Sequence, residues 1–355
     1  MNGHEDLHSI GLIGIGGIGT ALLTHLIQEN GKLGIKNIFL HYREKNKERI
    51  QGIERQHAPS TQEKGIDLCL TPSLNDIGKY SDIVVITVGD SEKEKKILRR
   101  EDLIGHYFKD IADIMHGLGD NPFKLFMATN PITTNCAIAD ICSQQKDPLI
   151  VGFTRSDFER ANYILSEWIK EDDIKDLTNE KIKSNVLGPH GYGLVVTNIK
   201  IGYKNIYNNK QLRALGFKES RSLEKLSQET AEYGEMVKRH LREYSTPDFF
   251  ANKIVESLKA ILRDGKDTAA IKVNLSSICE SSLSSRIVGP TYSSFPIKYE
   301  RGIPKIDSRI DFSKIPDEYK ESLLRIMIKE EKAIQKYLKE NPGISTKLQN
   351  HFRPN

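Results

Sequence analysis

The sequence predicts an α/β chain: an N-terminal Rossmann parallel sheet followed by a C-terminal α+β region. Three observations carry this. A short apolar run, Ser9 to Ile13, leads into Gly14-Ile15-Gly16-Gly17-Ile18-Gly19 and then into the helix-patterned Thr20 to Ile27, the order strand, GxGxxG, helix. Asp82 to Gly89 is an apolar, β-branched run of the kind buried on both faces of a parallel sheet. From Ala269 to Ile310 the pattern changes to β-rich stretches broken by Gly289-Pro290 and Arg301-Gly302, which suggests a few antiparallel strands. With 355 residues, 38% of them hydrophobic, the length is compatible with two domains and suffices for a real core. The expected division is 1–152, 153–340 and a flexible tail at 341–355, after the helix stop Asn341-Pro342-Gly343.

In the glycine turn, Gly14 permits the tight bend, Gly16 lets a pyrophosphate approach the backbone, and Gly19 allows the helix to pack closely on the strand. Gly17 and Ile18 stand at the helix N-terminus that faces the phosphates. The reading is a dinucleotide site; the bland alternative is a glycine-rich turn. A second strand, Asn37 to Tyr42, should end in an acid that binds the ribose hydroxyls of NAD. His41-Tyr42-Arg43 stands there instead, with Glu44 and Lys45 beside it. Tyr42 and Arg43 are candidate cofactor contacts, and NAD and NADP both stay open. An ordinary solvated strand end fits these residues equally.

Asp82 to Gly89 delivers Val88 and Gly89 to the carboxyl edge of the sheet, where ligands of open α/β sheets sit. The charge-dense Asp90 to Asp102 follows, as a surface loop or as a loop over that ligand. Lys124 to Ala128 reads as a strand leading into Thr129-Asn130-Pro131, which brings Thr129 and Asn130 to the same edge. Leu149 to Phe153 closes the first half. From Asp157 onward, Ala161, Ile164, Leu165 and Trp168 follow helical spacing. Glu171 to Lys183 reads as a charged loop. Helices are expected at about Ser222 to Glu243, ending before Tyr244-Ser245-Thr246-Pro247, at Phe249 to Leu262, and at Pro316 to Lys339.

The 52 basic and 48 acidic residues leave a net charge of +4 with no long basic block, which gives little support to nucleic-acid binding. The polar start and the glycine-interrupted run after it suit neither a signal peptide nor a membrane span, so a cytoplasmic protein is expected. Cys69, Cys136, Cys142 and Cys279 show no CxxC and no zinc spacing. They read as reduced, buried thiols, and no metal is expected.

Val186-Leu187-Gly188-Pro189-His190-Gly191-Tyr192-Gly193 sets a histidine between glycines, where other segments can reach it. Upstream, Asp157-Phe158-Glu159-Arg160 puts an acid and a base three apart on one helix face. A carboxylate beside an imidazole, with a guanidinium beside both, suits a 2-oxo acid. Asp157 would fix the tautomer of His190 and raise its pKa, and Arg160 would clamp a substrate carboxylate through two hydrogen bonds. An isolated DxxR reads first as an N-cap with an i,i+3 surface pair.

Taken in order, these pieces resemble the lactate and malate dehydrogenase family over most of the chain. The resemblance rests on Gly14 to Gly19, Ser81 to Gly89, Thr129-Asn130-Pro131, Asp157-x-x-Arg160 and Gly188-Pro189-His190-Gly191. Weaker matches are Arg100-Glu101-Asp102-Leu103 and Ser245-Thr246. The resemblance implies an NAD- or NADP-dependent, malate dehydrogenase-like enzyme that interconverts a small 2-oxo acid and its 2-hydroxy acid. Residues 1–152 would bind the dinucleotide and 153–340 the substrate. His190 would donate a proton to the substrate carbonyl, Asp157 would orient His190, and Arg160 would bind the substrate carboxylate. Arg100 would polarise the carbonyl as its loop closes, Asn130 would hydrogen-bond near the substrate, and Thr246 would line the nicotinamide side. A homodimer or homotetramer is implied as well.

The departures are Pro189 in place of a usual glutamate, Arg155 and Ser156 ahead of the aspartate, and Glu94 between Lys93 and Lys95. At that last position malate enzymes present an arginine and lactate enzymes a glutamine. Two alternatives follow: a lactate-type or unusual 2-oxo acid reductase, and a dinucleotide-binding pseudoenzyme.

Overall fold

The computed structural model describes residues 7–89, 107–190, 193–241, 247–273, 290–308, 313 and 315–340. Its first half runs β1 (His8–Ile13), α1 (Gly17–Gln28), α2 (Asn30–Leu33), β2 (Ile35–His41), α3 (Lys47–Glu63), β3 (Asp67–Thr71) and α4 (Leu74–Tyr80). Next come β4 (Ile83–Ile86), α5 (Phe108–Leu118), β5 (Lys124–Met127), α6 (Ile132–Cys142) and β6 (Leu149–Phe153). The second half runs α7 (Arg155–Glu171), β7 (Ile182–Leu187), β8 (Val195–Ile201), β9 (Lys204–Ile206), α8 (Asn209–Ala214) and α9 (Leu223–Leu241). It ends with α10 (Pro247–Leu262), β10 (Lys266–Lys272), β11 (Tyr292–Glu300), β12 (Ile303–Ile306) and α11 (Asp317–Glu340). The expected loop Asp90 to Asp102 and the tail 341–355 lie outside the described residues.

The chain forms two units. The first comprises Met1–Phe153, Ser245–Gly265 and Tyr299–Ile303. In it β1 to β6 are parallel neighbours in the order β6-β5-β4-β1-β2-β3. This is the Rossmann order, with β1 between β2 and β4 and the strand order reversing beside it. The turn that leaves the carboxyl end of β1 therefore opens on the crevice at the reversal. Ile83, Val84, Val85 and Ile86 of β4 are all buried, so the strand is uniformly apolar rather than alternating. It is shorter than the run Asp82 to Gly89, because after Ile86 the chain bends to bond the glycine turn.

Helix α10 joins this unit from far along the sequence. It buries Ala251, Ile254, Val255 and Leu258. It meets α1 where His25 Nε2 and Asp248 Oδ1 lie 2.9 Å apart and Lys259 Nζ and Glu29 Oε2 lie 2.7 Å apart. Such exposed pairs contribute at most about 1 kcal/mol each, so the apolar face carries the packing. The helix starts at Pro247 rather than at Phe249, since a proline loses no hydrogen bond in a first turn.

The second unit comprises Thr154–Tyr244, Lys266–Lys298 and Pro304–Asn355. Strands β7, β8 and β9 form an antiparallel sheet, and β10 pairs antiparallel with β11 from Lys266↔Lys298 to Lys272↔Tyr292. Thus the antiparallel region begins at Lys266, ahead of the expected Ala269, and Glu171 to Lys183 is a loop only as far as β7. The apolar stripe of α7 is the expected one: Ala161, Ile164, Leu165 and Trp168 are buried, in a core with Val186, Val196 and Leu226. Burying an aliphatic or aromatic side chain contributes about 1.5–3 kcal/mol, which fixes the face that α7 turns inward and carries Asp157 and Arg160, at the N-terminal end of the same buried side, in with it. One thiol departs from expectation. Cys136 and Cys142 are buried, but Cys69 is only partly so, and Cys279 lies outside the described residues.

Candidate active site

In the first unit the glycine turn is built from backbone contacts that admit no side chain. Gly14 has φ +99°, and a Cβ there would stand 2.6 Å from the backbone nitrogen of Val88. A Cβ on Gly19 would stand 2.3 Å from the carbonyl oxygen of Gly14. Thr87 Oγ1 donates to that same oxygen at 2.6 Å. Strand, turn and helix are thus locked together, as close helix-strand packing requires. Gly16 differs, since nothing lies within 4 Å of where its Cβ would be. That open backbone at the N-cap of α1 is the cradle a pyrophosphate needs, next to N–H groups without helical partners.

A cleft of about 760 Å³ lies over this turn. Of the expected cofactor contacts, Gly14, Gly16, Tyr42, Arg43, Val88 and Gly89 line it, whereas Gly17, Ile18, Gly19, Thr129 and Asn130 are not among its lining residues. Gly19 acts beneath the turn, through packing. Thr129 is buried against β4, with its hydroxyl 3.4 Å from the Ile86 carbonyl. Asn130 is half-buried in the cis Asn130-Pro131 link that precedes α6.

Sequence reading missed Arg49, Lys109, Asp110 and Asp113, which also line the cleft. Arg49 Nη1 donates to the Ile15 carbonyl at 2.8 Å, tying α3 to the turn, and Arg43 Nη2 bonds Asp110 Oδ1 at 3.0 Å. Burial, opposed by a backbone hydrogen bond with Pro72 and helped by the charge of Arg43, lowers the pKa of His41 in the cleft wall.

Changing Gly19 to alanine forces a methyl against a backbone carbonyl. The expected cost is about 1–3 kcal/mol of stability. Gly52→Ala, on an exposed face of α3 with open space around it, should instead be neutral or stabilising by up to about 1 kcal/mol. Thermal unfolding measures both.

In the second unit, Asp157 stands in the first turn of α7, and His190 follows β7 by way of Gly188 and Pro189. His190 Nδ1 is 2.7 Å from Asp157 Oδ2, and Arg160 Nη1 donates to Asp157 Oδ1 at 3.2 Å. All three are buried: Asp157 is 0% exposed, His190 5% and Arg160 7%. One carboxylate thus holds an imidazole with one oxygen and a guanidinium with the other. Since Nδ1–H donates to a carboxylate, Nε2 is the ring nitrogen that exchanges a proton.

The loop bearing His190 is pinned from behind. The Ser294 N–H donates to the Gly188 carbonyl at 3.1 Å. Gly188 has φ +103°, and a Cβ on it would stand 3.0 Å from the Gly193 carbonyl. Arg155, the departure ahead of the motif, has a structural role: its Nη1 bonds buried Asp267 Oδ1 on β10 at 3.0 Å. Arg100 and Thr246, with Glu94 and its flanking lysines, lie outside the described residues.

Comparison with known proteins locates this architecture. The malate dehydrogenase of Naegleria fowleri superposes with a TM-score of 0.71 at 14% identity, over 94% of this chain and 99% of that one. The lactate dehydrogenase of Eimeria maxima with NADH and oxamate gives 0.68 at 16% identity, over 99% and 98%. A lactate dehydrogenase from a Medee basin deep-sea metagenome library gives 0.67 at 17%, over 94% and 98%. The chain has the lactate and malate dehydrogenase fold. Against that fold, the unit with the parallel sheet and α10 is its Rossmann domain and the second unit its C-terminal α+β domain. No family model matches the sequence, and no curated protein matches it. Among the described residues, no helix is long and apolar enough to cross a membrane.

Proposed function

We propose that the chain is a 2-hydroxy acid dehydrogenase, malate dehydrogenase-like, that takes NAD or NADP in its first unit and a small 2-oxo acid in its second. The observation that carries this is the buried Asp157–His190–Arg160 constellation, in which a proton donor and a carboxylate reader share one acid. The glycine turn would hold the pyrophosphate through the backbone at Gly14 to Gly16 and the N-terminus of α1. A bound nicotinamide supplies the hydride. Asp157 keeps the proton of His190 on Nδ1 when the ring is neutral, so the imidazolium gives its other proton, from Nε2, to the carbonyl oxygen as negative charge develops there. Arg160 offers a planar donor fork to the carboxylate of the 2-oxo acid. Burial excludes water around both groups and strengthens their interactions with a charged ligand.

The test is turnover. Purified protein with NADH or NADPH is mixed with oxaloacetate, pyruvate and longer 2-oxo acids, and loss of nicotinamide absorbance is followed. Reduction of any one supports the reading; dinucleotide binding without reduction of any favours a pseudoenzyme. The cleft wall after β2 makes a separate prediction. If Arg43 reads a 2′-phosphate, Arg43→Ala should weaken NADPH about fivefold and leave NADH within about twofold, a small effect because the guanidinium is exposed and already paired with Asp110. Fluorescence titration gives both affinities, and equal losses would show that Arg43 does not read that phosphate.

A further inference from the structure

Helix α9 carries a buried glycine, Gly234, in its interior, where glycine costs about 1 kcal/mol relative to alanine. Its surroundings show what the missing methyl leaves room for. A Cβ on Gly234 would stand 3.1 Å from Nη2 of Arg160, 3.4 Å from Cζ and 3.5 Å from Nη1. Three atoms of one guanidinium at nearly equal range mean that its flat face, rather than an edge, lies across the glycine. Along its edge the same group is held by Asp157 Oδ1, 3.2 Å from Nη1. The edge bond fixes rotation within the plane, and the missing methyl leaves the face the room that this tilt needs.

We propose that Gly234 is a positioning residue for Arg160: by carrying no side chain at this point of α9 it leaves the guanidinium in the tilt with which a substrate carboxylate is read. This rests on the role proposed above for Arg160. The helices cannot easily separate to admit a side chain. Tyr163 and Tyr233 pack edge to face with centroids 5.5 Å apart, and Trp168 Nε1 donates to Glu229 Oε2 at 3.1 Å. Leu226 on α9 shares the core with Leu165 and Trp168 on α7. With the helix pair held, a methyl at 234 is accommodated by moving the guanidinium a few tenths of an ångström. A bidentate contact is sensitive to such a shift.

The test is Gly234→Ala in the full chain. The KM for the reducible 2-oxo acid should rise about tenfold, with kcat changing less and NADH or NADPH affinity within about twofold. The melting temperature should hold or rise, since alanine favours the helix. The ratio of kcat/KM for the acid to that for its methyl ester should fall, because only the acid needs the fork. In an Arg160→Lys background, which lacks the flat group, the same alanine should add nothing further. A KM within twofold of wild type, equal losses on acid and ester, undiminished cost in the lysine background, or loss of folding would each overturn the proposal. A wild-type protein that reduces no 2-oxo acid would instead overturn the proposed function, and this inference with it.

Discussion

Replacing His190 with asparagine is expected to abolish 2-oxo acid reduction while leaving dinucleotide affinity within about twofold. Asparagine can still donate to Asp157 from its amide, so the carboxylate that bonds His190 Nδ1 at 2.7 Å keeps a partner and the loop keeps its anchor. What disappears is the second ring nitrogen and its proton. Loss of a positioned general acid costs about 10²–10⁴-fold, roughly 3–5 kcal/mol of barrier. Steady-state turnover and fluorescence titration of NADH or NADPH separate the two quantities. If dinucleotide binding falls as far as turnover, His190 is a structural residue of the loop pinned by Ser294, and the mechanism has no proton donor.

Arg160→Lys is the second large effect. Kinetics should show kcat/KM down by about 10²–10³, roughly 3–4 kcal/mol, mostly through a higher KM. Lysine keeps the charge but not the plane. In the proposed role the cation must hold Asp157 Oδ1 at 3.2 Å and read a second carboxylate at once, with only 7% of the residue exposed to water. A guanidinium has donors on two edges for this; an ammonium has one compact head on a longer flexible stem. Unchanged kinetics would mean that the Asp157–Arg160 pair is structural.

Most of the fold was legible because its signals are local. A strand, three spaced glycines and a helix are contiguous, and the stripe Ala161, Ile164, Leu165 and Trp168 marks a buried face within one helix. The Asp157–Arg160 pair was legible for the same reason, being one helical turn apart. His190 was legible as a histidine among glycines, and its 2.7 Å bond to Asp157 joins residues of α7 and the loop after β7 that no local pattern links.

Other features had no such signal. Periodicity marked α10 as a helix but carried no sign that it packs on α1. Arg49 and Lys109 enter the cleft wall from α3 and α5, elements whose convergence is set by the sheet order. Gly234 reads in isolation as a weak point in an amphipathic helix; only the guanidinium across it gives it a purpose. The run Asp82 to Gly89 suggests a longer strand than Ile83–Ile86 because hydrophobicity does not report that Thr87 turns to bond Gly14.

The most direct measurement is deuterium transfer from NADH or NADPH labelled at both C4 positions to a 2-oxo acid, with the product read by mass spectrometry. Label on carbon 2 of the 2-hydroxy acid with the wild-type chain, forming about a hundredfold or more faster than with His190→Asn, is the predicted result. A wild-type chain that binds the labelled dinucleotide and yields no labelled hydroxy acid from any 2-oxo acid would contradict it.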